Sequence, residues 1–128
     1  KCELERSAEY LAIDADSKLK VSESFLTPIE QHFNYDYFSG IEAAFDIRRS
    51  VGDRVVSIKY KGEELSGDKR LTLCMNNYRA SGAGGYDIYR QCQTVRELPT
   101  EIAELIIAYV DKHRNITVDK HKWLKLIY

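Results

Sequence analysis

The order of apolar and turn-forming segments predicts a single α+β domain over residues 1–128, a mixed β-sheet packed with helices. Three observations carry this expectation. A helical stripe opens the chain, alternating apolar segments fill its middle, and a second helical stripe precedes a short apolar segment at the end. The length of 128 residues suits one domain with one core, and 44% hydrophobic with 30% charged residues is ordinary globular composition.

The first segment, Lys1-Cys2-Glu3-Leu4-Glu5-Arg6-Ser7-Ala8, reads as helix, with Leu4, Ala8 and Leu11 at i, i+4 and i+7. No capping residue stands in front of it, which predicts an excised fragment or a processed chain. Asp14 to Lys18 is polar and predicts a turn. From Val21 to Phe38 the chain carries Pro28 and the rings of Phe25, Phe33, Tyr35, Tyr37 and Phe38, with no regular periodicity. Such a segment is a packed loop or a binding wall, and the number of rings favours packing.

Ile41, Ala43, Phe45 and Ile47 alternate, as do Val56, Ile58 and Tyr60, and both stretches predict strands. Lys61-Gly62 and Ser66-Gly67-Asp68 supply turns. Leu71-Thr72-Leu73-Cys74-Met75 predicts a third strand running into a glycine-rich loop. After Leu98-Pro99-Thr100-Glu101, the residues Ile102, Leu105, Ile106, Tyr109 and Val110 recur at helical spacing. Lys112, His113 and Arg114 then suit the negative end of the helix dipole. Trp123 to Ile127 predicts a last short strand.

Several functions are disfavoured by composition. Net charge is −1, from 19 basic and 20 acidic residues, which argues against binding a nucleic acid polymer through its phosphates. No apolar run approaches the roughly 20 residues that span a bilayer. Cys2, Cys74 and Cys92 cannot all pair, and no Cys/His spacing suggests zinc, so three free and mostly buried thiols are expected. Ser7, Ser39 and Ser81 lack a nucleophile-elbow context.

The most unusual stretch is Asn76-Asn77-Tyr78-Arg79-Ala80-Ser81-Gly82-Ala83-Gly84-Gly85-Tyr86. Glycine permits positive φ and a close approach of backbone to ligand. A flanking tyrosine can stack on a nucleobase, and asparagine amides supply both donors and acceptors. The stretch is neither a Walker A loop nor a G-x-G-x-x-G fingerprint, because Gly82, Gly84 and Gly85 are followed by Tyr86-Asp87. From residue types alone, a tight turn between two core tyrosines is an equal reading.

This stretch resembles the N-N-Y-R-A-x-G-G-x-G signature of the 5′-nucleotidase family's C-terminal domain. The branch of bifunctional 2′,3′-cyclic-nucleotide 2′-phosphodiesterase/3′-nucleotidases is the most similar. Leu4 to Tyr10 and Phe33 to Gly40 resemble the family's LExSAxYF and YNYDxxxG stretches. Tyr60-Lys61-Gly62-Glu63 and Trp123-Leu124-Lys125 fit in order, so the likeness covers nearly the whole chain.

The resemblance implies the fold of that C-terminal domain and a role in recognising a nucleoside or nucleotide. It implies that residues 1–128 are an N-terminally truncated piece of a two-domain hydrolase. An N-terminal metallophosphoesterase domain would hold two divalent metal ions and carry out hydrolysis. No cofactor and no catalytic residue is expected on this chain, which lacks that domain's D-x-H and G-N-H-[DE] motifs.

By position, Tyr78 resembles one ring of the family's base clamp, whose other ring lies in a Pro-aromatic motif upstream of the first helix. Asn34 and Tyr35 match a stretch near the base or ribose, and Gly82, Gly84 and Gly85 would let the sugar and base approach. Gly84 stands where some relatives have an Asp, so Asn76, Arg79 or water would replace its ribose contact; Ser81 completes the expected binding set. Relatives are bacterial proteins that are secreted, periplasmic or attached to the cell wall. The competing expectation is a protein-docking module that uses the aromatic segment Phe33 to Phe38.

Overall fold

The computed structural model describes residues 1–128. Its core is a four-stranded sheet with one helix laid on it. Helix α1 (Cys2–Glu9) leads into a small hairpin of β1 (Leu11–Ile13) and β2 (Leu19–Val21). The sheet contains β3 (Glu42–Asp46), β4 (Val55–Tyr60), β5 (Glu63–Glu64) and β6 (Leu124–Ile127), in the order β5-β4-β3-β6. Strand β6 runs parallel to β3 and β4 antiparallel to it, so the sheet is mixed, as expected. Between sheet strands lie the four-residue α2 (Asn77–Ala80) and the long α3 (Ile102–His113).

The core forms where α1 meets β3 and β4. Leu4 and Ala8 from the helix pack with Ala43, Phe45, Ile47 and Val55 from the sheet side. Two polar groups fix the helix in place. Glu5 accepts hydrogen bonds from the backbone N–H of Arg54 and of Val55, at 2.8 and 2.9 Å. Buried Arg54 donates to the carbonyl of Ala8 in the last turn of α1 (2.9 Å) and to that of Leu11 at the start of β1 (2.6 Å), tying the helix end to the first hairpin.

Most elements fall where the sequence puts them. Asp14 closes the first hairpin by accepting from Asp16 N and Lys18 N through its carboxylate. Ala43, Phe45 and Ile47 alternate inward as predicted. In β4 the expected inward face of Val56, Ile58 and Tyr60 is broken. Ala44 pairs with Ser57 but Phe45 pairs with Val55, so Val56 is a bulged extra residue and points to solvent. A one-residue slip exchanges the faces of a strand, which puts Val55 in the core instead.

Three expectations need correction. The segment Leu71 to Met75 forms no strand, because the sheet ends at β5 and β6 and neither pairs with it. Its apolar residues Leu71 and Leu73 are exposed. The three cysteines are free but all exposed, not buried. Helix α3 forms over the predicted residues, yet none of them is buried, since no other element packs against its stripe.

The accessible surface reflects this. It measures 9894 Å², against about 7,000 Å² for a compact monomer of this mass.

Candidate functional site

The glycine-rich loop is fastened to the core by α1. Tyr86, at 0% exposure, closes the loop. Its hydroxyl shares a hydrogen bond with Ser7 Oγ (2.8 Å) and donates to the Asn34 carbonyl (3.3 Å). Burial pushes the Tyr86 phenol up from its ordinary pKa and so keeps this hydroxyl protonated. Tyr89 stacks parallel on Tyr86 at 6.0 Å, and burial raises its phenol further still.

Three arginines hold the loop from within. Arg6 Nε donates to Gly84 O (3.2 Å), Arg79 Nη1 to Ala83 O (2.6 Å) and Arg90 Nε to Ser81 O (2.7 Å). Each lies where a glycine lacks a side chain. A Cβ on Gly82 would meet Arg90 Nε at 2.6 Å, and one on Gly85 would meet Arg6 Nε at 2.7 Å. A Cβ on Gly84 would fall on both the Arg79 guanidinium and the Asn34 side-chain oxygen. The glycines therefore admit the chain's own cations.

Arg79 is the centre of this arrangement. It is 6% exposed, and its guanidinium lies 4.1 Å from the Tyr86 ring centroid. Nη2 donates to the Phe33 carbonyl (3.1 Å) and to Asp36 Oδ1 (2.7 Å). Its backbone N–H is capped by the Asn76 side-chain oxygen at 2.8 Å. The residue thus joins three segments, around 33–36, 76–79 and 83–84.

An open groove of about 540 Å³ lies over this bridge, lined by Phe33, Asp36, Asn76, Tyr78 and Arg79. The Tyr78 ring is 46% exposed and the Phe33 ring 64%. Asn76 uses its side-chain oxygen as a cap, which leaves the amide nitrogen as a donor. The Arg79 charge is matched by Asp36, so the groove presents no uncommitted cation. Its chemistry is therefore two aromatic faces, an amide donor and a carboxylate edge.

Of the residues singled out from sequence, Asn76, Tyr78 and Arg79 line this groove together. Asn34 does not. It is buried behind Gly84, where its Nδ2 donates to Gln31 Oε1 (2.8 Å) and its Oδ1 finds no partner. Tyr35 packs on Tyr10 at 4.9 Å, and burial raises its phenol. Ser81 Oγ donates to Tyr78 O at 2.7 Å, which steadies the turn under the ring.

Asp36 was missed as a groove residue, and Phe33 was expected only as part of an aromatic wall or docking segment, although both lie in the family-like stretch Phe33 to Gly40. Ser7 lies in the family-like stretch Leu4 to Tyr10 but was not expected at the loop, and neither was Arg6. The aromatic segment does not present one face: Phe33 meets the groove, Tyr35 packs on Tyr10, Phe38 packs on the core, and Tyr37 is exposed.

Beneath the loop, one oxygen of the Glu3 carboxylate is buried without a hydrogen-bond partner. Desolvation, with Asp36 and Asp87 nearby, lifts its pKa above the usual glutamate range. No group of three or more His, Cys, Asp or Glu side chains converges in a way that could hold a metal ion. No helix is long and apolar enough to cross a membrane.

The profile of the family described as 5′-nucleotidase, C-terminal domain matches residues 7–91. The trifunctional nucleotide phosphoesterase protein YfkN of Bacillus subtilis is 21% identical over 96 residues, covering 66% of this chain and 7% of YfkN. Protein 5NUC of Lutzomyia longipalpis is 24% identical over 82 residues, covering 58% of this chain and 14% of that protein. A crystal structure of a protein assigned as a 5′-nucleotidase from Staphylococcus aureus, in complex with alpha-ketoglutarate, superposes with a TM-score of 0.91 at 33% identity. That likeness covers 98% of this chain and 24% of the other. The chain thus spans a minor part of each protein it matches.

Proposed function

The chain belongs to the 5′-nucleotidase C-terminal domain family, and from that premise we propose that it is the nucleoside-recognition domain of a nucleotide phosphohydrolase. Hydrolysis would belong to an N-terminal metallophosphoesterase domain of the same protein, whose residues would hold two divalent ions able to supply an activated water and charge stabilisation at the phosphate. The N-N-Y-R form of the loop and the likeness to a trifunctional nucleotide phosphoesterase favour 2′,3′-cyclic nucleotide and 3′-nucleotide substrates. Export to the periplasm, cell wall or medium of a bacterium is part of the same proposal.

The observation that carries this reading is the groove itself. It offers a half-exposed tyrosine ring beside an amide donor, with its single cation neutralised by Asp36. Such a surface takes the flat, uncharged base of a nucleotide and leaves the phosphate outside. In this role Tyr78 stacks on the base and Asn76 donates to its edge or to the ribose. Arg79, Ser81, Gly82, Gly84, Gly85 and Asn34 shape and support the loop, and Tyr35 braces its neighbour Asn34.

The test is a titration of the chain with adenosine and with 3′-AMP, followed by NMR. Shifts should centre on Tyr78, Asn76 and Phe33, and the two ligands should bind with similar affinity because no free cation awaits the phosphate. Tyr78→Ala should weaken both about 5- to 150-fold, the value of one base–aromatic stack. Shifts at millimolar ligand that leave Tyr78 and residues 76–85 untouched would sink the proposal.

A further inference from the structure

We infer that Leu71 to Met75 is an open strand edge, and that its partner strand is the stretch of a longer polypeptide that leads into Lys1. This rests on the two-domain part of the reading above and not on the ligand. The stretch has the period of a strand and none of its bonding. Leu71, Leu73 and Met75 alternate with Thr72 and Cys74, and all but Met75 are exposed. Across residues 70–75 no N–H or carbonyl takes part in a backbone–backbone hydrogen bond. A row of free donors and acceptors with alternating apolar side chains is a surface that a second strand completes.

The amount of uncovered surface points to the same polypeptide as the source. The chain exposes about 2,900 Å² more than a compact monomer of its mass. A separate partner protein covers about 800 Å² of one side in a standard interface. The surplus is therefore larger than a docking patch and has the size of unfinished core. Helix α3 belongs to it, with Ile102, Leu105, Ile106 and Tyr109 all exposed.

The arrangement is also kept inside a larger protein. The Staphylococcus aureus structure matches 98% of this chain with a TM-score of 0.91, and the match is 24% of that chain. Residues 65–122 are too large a share of the domain for that score to survive their lying elsewhere. The route of the backbone selects which segment arrives. Helix α1 begins against the glycine loop, where Arg6 reaches Gly84 and Ser7 meets Tyr86. Met75 runs into that same loop through Asn76 and α2. Chain arriving at Lys1 thus enters beside the loop that the open strand feeds. The partner is an extended segment of about five residues, apolar on the face it shares with Leu71 and Leu73. Pairing there holds Met75, and with it Asn76 at the root of the groove.

The experiment uses the protein with its natural upstream sequence and reads hydrogen exchange at residues 71–75. Their amides should exchange about 100-fold or more slowly than those of a free peptide. Leu73 and Val56 are similarly exposed, at 48% and 41%, and form a matched pair. Leu73→Asp puts a charge at the covered edge and should lower the Tm by about 5 °C or more, and Val56→Asp by about 3 °C or less. Amides that exchange at free-peptide rates, or equal Tm losses from the two variants, overturn the proposal. Protection that rises with protein concentration places a second copy on the edge and overturns it as well. Adenosine binding is measured on the same samples. Free amides with binding retained overturn the partner strand and spare the recognition reading, whereas free amides with binding absent overturn both.

Discussion

Residues 1–64 and residues 65–122 are similarly apolar in sequence and behave oppositely in space. The first stretch supplies every aliphatic and phenylalanine side chain of the core, from Leu4 to Val55. The second supplies a single buried hydrophobic residue, Tyr86. Helix α3 has a clean amphipathic stripe, yet Ile102, Leu105, Ile106 and Tyr109 all face solvent. Periodicity shapes a helix, but burial needs a facing surface, and none of the residues of α3 finds one. The groove sits at the seam, where residues 76–90 are drawn back onto the first stretch by Arg6, Ser7 and Arg79.

The contrast is sharpest in stability. Phe45→Ala removes a fully buried ring between α1 and the sheet and should cost about 3–5 kcal/mol in urea unfolding. Ile106→Ala removes an exposed side chain from α3 and should stay within about 0.5 kcal/mol. Equal losses would break the division between the two stretches.

The seam is tested by glycines. Gly84→Ala needs positive φ and drives a Cβ into Arg79 and Asn34, so it should destabilise by about 1–3 kcal/mol and weaken adenosine binding as well. Gly52→Ala has comparable φ but open space around it, so it should show only the smaller backbone cost and leave binding unchanged. Thermal melts with a parallel ligand titration separate these outcomes.

The smallest effect concerns Glu3, which reaches the seam from α1. Its pKa is raised in the folded state, so the unfolded chain releases this proton first as pH rises. Stability contributed by the neutral acid is full below the ordinary glutamate range and is lost as pH climbs through the raised value. Glu3→Gln should therefore melt higher than the parent near neutrality and match it in acid. A constant difference across that window would mean that the carboxylate is not the cause.

Much of this was legible from residues alone. Alternation located β3, the helical stripe located α3, and polar turn residues located the first hairpin. The N-N-Y-R loop pointed to Tyr78 and Asn76, which the fold brings to one groove. Local pattern failed where a neighbour decides the outcome: at Val56, turned outward by a bulge, and at Leu71 to Met75, which alternates but meets no sheet edge. Likewise, the glycines signalled an unusual loop but not what filled it. Sequence determines which backbone shapes are allowed, because φ and side-chain period are local properties. Only tertiary structure decided that three arginines occupy the glycine loop, that Arg79 pairs with Asp36, and that Phe33 joins Tyr78 at the groove. Arg6 reaches Gly84 and Arg79 reaches Asp36 across dozens of positions, and no local rule ranks one such partner over another.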